Sequence, residues 1–93
     1  MKTIYKFEWD EQKNVSNQKG HGVSFQHACK AFDDPMHIVL DDDAHSKNKP
    51  RYFLIGFDGI GILTVRFTLR SGSIRIFGAG YWRKGRALYE GRK

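Results

Sequence analysis

A single cysteine in 93 residues rules out an internal disulfide, because Cys29 has no partner within the chain. Long apolar runs are missing as well. Met1 to Asp10 lacks the apolar core of a secretory signal. Nowhere does an apolar stretch approach the roughly 20 residues a membrane span needs. These absences point to a soluble cytoplasmic protein with no membrane partner. Acidic residues are scarce in one half only. Residues 47–93 hold eleven Lys/Arg against two Asp/Glu, a net of +9, whereas residues 1–46 hold five against eight, a net of −3. The overall charge of +6 therefore belongs to the C-terminal half. A field of that sign attracts phosphates and speeds encounter with nucleic acid.

What is present is enough for one domain, 1–93, with one modest core. Apolar residues make up 40% of the chain and aromatic residues 14%, so the core needs neither metal nor disulfide. Ile4 to Trp9 alternates like a short strand, and Asp10 offers an N-cap carboxylate. A polar helix follows over about Glu11–Lys19, closed by a Gly20-His21-Gly22 turn. Ser24 caps a second helix, in which Phe25, Ala28, Cys29 and Phe32 fall at the spacing of one buried face, and Asp34-Pro35 stops it. Met36–Leu40 reads as a strand and Asp41–Pro50 as an exposed loop.

The second half reads as a meander. Arg51–Phe57 is a strand and Asp58-Gly59-Ile60-Gly61 a turn. Across Ile62–Arg70, Leu63, Val65, Phe67 and Leu69 point one way and Thr64, Arg66, Thr68 and Arg70 the other. Ser71-Gly72-Ser73 turns into the strand Ile74–Phe77, and Tyr81–Arg92 forms a weak basic helix interrupted by Gly85 and Gly91. The pattern predicts an α+β domain: N-terminal helices packed on a mainly antiparallel sheet, a C-terminal basic helix, and the helices stacked on one sheet face.

Chemistry concentrates on the polar side of that sheet. If Ile62–Arg70 pairs with Ile74–Phe77, then Arg66, Thr68, Arg70 and Arg75 share a surface. Guanidiniums on a rigid sheet can grip a scissile phosphate by forked hydrogen bonds. An alternating polar face is ordinarily just a solvated one, but so many arginines beside one carboxylate fit that description poorly. RNA cleavage needs a base for the 2′-OH, cations for the phosphorane and an acid for the leaving oxygen, and no metal. His21 is a natural proton shuttle, although a loop histidine more often only hydrogen-bonds a helix end. His37, Asp41, Asp42, Asp43 and His45 match no standard zinc or calcium spacing, so neither metal nor cofactor is expected. Cys29 reads as core. Trp9 and Trp82 read as packing, with base stacking as the other possibility.

Several stretches in order carry a resemblance over nearly the whole chain. They are Phe7-Glu8-Trp9-Asp10, Asn17 with His21-Gly22-Val23-Ser24-Phe25, Phe32-Asp33-Asp34-Pro35 and Asp43-Ala44-His45-Ser46. Arg51, Gly56, Thr68 with Arg70, Ile74-Arg75-Ile76 and Tyr89-Glu90 complete the set. Together they resemble the BrnT family of ribonuclease toxins from bacterial toxin–antitoxin pairs. The resemblance implies a RelE-like fold and metal-independent cleavage of RNA, mRNA in particular, that blocks translation. It also implies a DNA-binding antitoxin partner, with which the toxin forms a hetero-oligomer on its own promoter. The residues expected to carry catalysis are Lys19, His21, Arg51, Thr68, Arg70 and Arg75. Arg66, Arg83, Lys84 and Arg86 are expected to bind nucleic acid.

Three positions depart from the family pattern. Gly20 stands where a lysine precedes the histidine, Lys49 where an acidic residue comes two before the arginine matched by Arg51, and Gly80 where the family has arginine. The last removes a cation from the end of the arginine-bearing strand. The sequence therefore leaves three readings: an active ribonuclease toxin, a degenerate toxin that keeps its partner, or a small basic nucleic-acid-binding or regulatory module without catalysis.

Overall fold

Asp10 begins the first helix as its spacing predicts, its carboxylate accepting hydrogen bonds from the Gln12 and Lys13 amides. The computed structural model describes residues 5–92, the side chain of His45 excepted. The first helix, α1 (Glu11–His21), runs two residues past the expected end. Gly20 is accommodated within it, and Gly22 takes the left-handed C-cap at φ 70°, donating to the Gln18 carbonyl. Ser24 caps α2 (Phe25–Ala28), which tightens into a 3₁₀ turn over Cys29–Asp33 and stops where Asp34 becomes extended before Pro35.

The strands are β1 (Phe7–Glu8), β2 (Ile38–Asp41), β3 (Tyr52–Phe57), β4 (Ile62–Arg70) and β5 (Ser73–Gly80). They form one five-stranded mixed sheet in the order β1-β5-β4-β3-β2. β1 pairs parallel to β5, and every other pairing is antiparallel. The short β1 is what remains of the longer strand expected there, whose Ile4 lies outside the described residues. β5, by contrast, runs three residues beyond the expected end. Arg66 pairs with Gly78 and Phe67 with Ile76, so Phe77 is left over as a bulge.

Alternation along β4 sets the core. Leu63, Val65 and Phe67 are buried against Val23, Phe25, Ala28 and Phe32, each large side chain contributing about 1.5–3 kcal/mol. Leu69, expected on the same face, is 60% exposed at the far end of the strand. Cys29 is half-buried rather than sealed in the core.

The helices do not share one face. α3 (Arg83–Gly91) lies on the side opposite the core cluster, with buried Gly85 against Thr64 and Ile55. Ile55 and Phe53 are apolar on that outer side and need covering, and α3 covers them. Gly85, which reads as a helix breaker, is what permits the approach: a Cβ there would come 1.9 Å from Thr64 Oγ1. Two tyrosines tie the helix down. Tyr81 donates to Asp58 (2.5 Å) just before α3, and Tyr89 donates to Asp34 (2.6 Å) near its end.

Candidate nucleic-acid interface

The outer face of the sheet is built by cross-strand register. Thr68 on β4 stands opposite Arg75 on β5, which stands opposite Glu8 on β1. Arg51 precedes Tyr52, whose partner Phe67 neighbours Thr68, so Arg51 enters the same row from the β3 side. The structure thus gathers Arg51, Thr68 and Arg75, with Arg66 and Arg70 alternating beside Thr68 on β4.

These groups are not equivalent. Arg75 is held at 2.7 Å by the carboxylate of Glu8, and Arg70 lies 3.9 Å from the same oxygen. Arg51 and Arg66 have no carboxylate partner among the described residues. Their guanidiniums stack on the Phe77 ring instead, 4.9 and 5.1 Å from its centroid. The Thr68 hydroxyl is also committed, donating to the Pro50 carbonyl at 2.5 Å. It ties down the loop that delivers Lys49 and Arg51.

His21 lies toward the other end of β5 from Arg75, and Lys19 is exposed on α1. The His21 ring meets Trp82 edge-on, with centroids 5.3 Å apart. Trp82 in turn covers Gly80, where a Cβ would come 2.5 Å from its indole. Gly80 is five residues along β5 from Arg75, roughly 16 Å of extended strand. On α3, Arg83 and Arg86 border a depression with Ile60 and Tyr81, and Arg86 is paired with Glu90 at 3.3 Å. Lys84 borders a largely apolar cavity of about 380 Å³ with Phe53, Ile55 and Trp82. The α3 cations therefore lie at the Trp82 end, with His21.

Glu8 is the member of this face that sequence reasoning passed over. Its importance depends on β1 meeting β5 across 67 residues of chain, which no local pattern announces. Elsewhere, Asp58 is buried and accepts from Ile60 N, Gly61 N, Tyr81 and His27 Nε2 (2.9 Å). Burial alone would push its carboxyl up, but those hydrogen bonds together hold it below the usual carboxylate range. That network organises the β3–β4 turn and lies off the arginine row. Among the described residues no group of three or more His, Cys, Asp or Glu could hold a metal ion. No described helix is long and apolar enough to cross a membrane.

Residues 9–85 match the family model described as the ribonuclease toxin, BrnT, of type II toxin–antitoxin systems. No curated protein sequence matches the chain.

Proposed function

The chain belongs to the BrnT family of type II toxin–antitoxin ribonuclease toxins, and we propose that it is an active, metal-independent endoribonuclease of the RelE-like kind. In this reading the whole chain is one toxin domain acting in the cytoplasm on mRNA and so blocking translation. A cognate DNA-binding antitoxin neutralises it, and the hetero-oligomer binds their promoter. The family match over residues 9–85 carries the proposal, and the arginine row supplies a surface for the chemistry.

In the mechanism, the 2′-OH loses its proton to a base and its oxygen attacks the neighbouring phosphorus. The bond from phosphorus to the 5′-oxygen then breaks, and that oxygen leaves with a proton. Arg51, Arg70 and Arg75 hold the phosphate and the charge that develops on it, while Arg66 and the α3 cations Arg83, Lys84 and Arg86 bind flanking phosphates. Thr68 positions Arg51 through Pro50. Glu8, inside the row, can take the 2′-OH proton beside a phosphate held there, whereas His21, with Lys19 beside it, serves that role if the scissile phosphate sits at the Trp82 end instead. Separate His21→Gln and Glu8→Gln variants decide which group does so. The test of function is induction of the protein alone and with its neighbouring gene. Growth arrest relieved by co-expression supports the proposal, and unimpeded growth in both cases counts against it.

One observation favours a second reading, the degenerate toxin that keeps its partner. Where the family has arginine, Gly80 lies under the Trp82 ring, so the missing cation has been replaced by packing. Copurification with an antitoxin but no RNA cleavage would select that reading.

A further inference from the structure

Within the row, the two arginines without a carboxylate partner among the described residues are also the two that share a ring. Arg51 and Arg66 both lie about 5 Å from the centroid of Phe77, which confines their guanidinium carbons to within about 10 Å of each other. Like charges held so close repel unless an anion sits with them. Asp41 and Asp43 border a depression that Arg51 also lines, yet neither forms an ion pair with it. Lys47 and Lys49 line a second depression with Arg51 and add charge of the same sign.

The local backbone makes the arrangement. The bulge in β5 leaves Phe77 without a pairing partner, free to present its ring beside the arginines. Gly78 is opposite Arg66, and the Arg66 stem lies along it, its Cδ 3.4 Å from where a Cβ would stand, which is ordinary contact. Arg66 Nε is buried with no hydrogen-bond partner, so packing holds the guanidinium and its outer nitrogens stay available.

We propose that Phe77 is a positioning residue that holds Arg51 and Arg66 as a preformed clamp for a phosphodiester group of single-stranded RNA. The clamp deepens the ribonuclease reading and rests on RNA being the ligand. It also grades the face: Arg51 and Arg66 meet an anion without a carboxylate competitor among the described residues, whereas Arg70 and Arg75, which share the scissile phosphate with Arg51, meet it only in competition with Glu8.

The test uses the full chain and a labelled single-stranded oligoribonucleotide, 2′-O-methylated throughout so that it cannot be cut, titrated at several salt concentrations. Phe77→Leu, which keeps bulk and removes the ring, is expected to raise Kd about three- to tenfold. Phe77→Tyr restores binding. Arg66→Ala lowers the salt slope by about 0.7, one phosphate's worth. Arg66→Lys keeps the charge without the planar stack and is expected to bind as weakly as Phe77→Leu. It provides a second reading should Phe77→Leu fail to fold. Unchanged binding in both Phe77→Leu and Arg66→Lys overturns the clamp. So does equal, clamp-dependent binding of a polyglutamate peptide, which would make the site one for an acidic protein segment. A protein that binds the oligonucleotide through the clamp but cuts no RNA keeps this inference and loses the catalytic one. A protein that cuts RNA with the clamp variants binding normally does the reverse.

Discussion

Glu8 places its carboxylate 2.7 Å from Arg75, joining the first strand of the sheet to the last. The same oxygen lies 3.9 Å from Arg70, so one residue partly neutralises two of the arginines expected to hold a phosphate. Both members of the Glu8–Arg75 pair are about a third exposed, which keeps its contribution to stability below about 1 kcal/mol. Glu8→Gln should therefore cost little stability, tighten oligonucleotide binding and steepen its salt dependence. If cleavage also falls while binding rises, Glu8 acts on the 2′-OH proton. Titrations at several salt concentrations beside a cleavage assay separate the two effects.

Asn17 replaces a strand. Past the end of β1 its side-chain amide donates to the Ala79 carbonyl and the Val23 carbonyl, both at 2.9 Å, and accepts from the Ala79 amide at 3.2 Å. Asn17→Ala would leave three buried backbone groups unpaired, each costing on the order of 1–3 kcal/mol. A loss of about 3 kcal/mol or more is expected in denaturant unfolding. A loss under 1 kcal/mol would mean that water satisfies that edge.

Acid should release α3. Burial pushes the Asp34 and Asp58 carboxyls up, but their hydrogen bonds outweigh burial and hold both below the ordinary value. A carboxylate lowered in the folded state stabilises it above its unfolded pKa near 4, and that contribution is lost as pH falls through the folded value. Tyr81→Phe should cost about 1.5–3 kcal/mol at pH 7, since it removes a hydrogen bond to a buried charge. The difference from the parent protein should shrink as pH falls below 4. A difference constant down to pH 2 would contradict the role of Asp58.

Two glycines carry opposite expectations. Gly85→Ala should destabilise, despite a helix-propensity gain of about 1 kcal/mol, because the added methyl meets Thr64. Gly20 has open space around it and lies within α1, so Gly20→Lys should hold or raise the thermal midpoint. Restoring the arginine of the family at position 80 is different, since the ring of Trp82 occupies its path. Gly80→Arg alone should destabilise, and the pair Gly80→Arg with Trp82→Ala should recover part of the loss. Thermal unfolding of the single and double variants checks both statements.

Much of this fold was legible from period and punctuation. β4 has the bounds its alternation predicts, Ser24 caps α2, and Asp34-Pro35 ends the helical stretch. The ordered motifs also sufficed for the family. What stayed hidden was non-local or ran against hydropathy. α1 docks partly through the buried amides of Asn14 and Asn17, which look like surface residues in a polar helix. α3 crosses to the outer face because Gly85 allows contact, whereas glycine in a helix reads only as weakness. The bulge at Phe77 follows from a register set by two strands together. For the site, the arginine row was foreseen from β4 and β5, but its pairing with Glu8 and the distance to His21 depend on where β1 and Trp82 come to rest.

Metal-independent cleavage is tested most directly on RNA itself, by incubating the purified protein with single-stranded RNA in EDTA and determining the chemistry of the new ends. The expected ends are 2′,3′-cyclic phosphate and 5′-hydroxyl. Arg75→Ala should cut about a hundred- to a thousandfold more slowly at an unchanged thermal midpoint. Absence of cleavage with or without ribosomes, in the parent protein and in Gly20→Lys alike, would contradict the proposed activity.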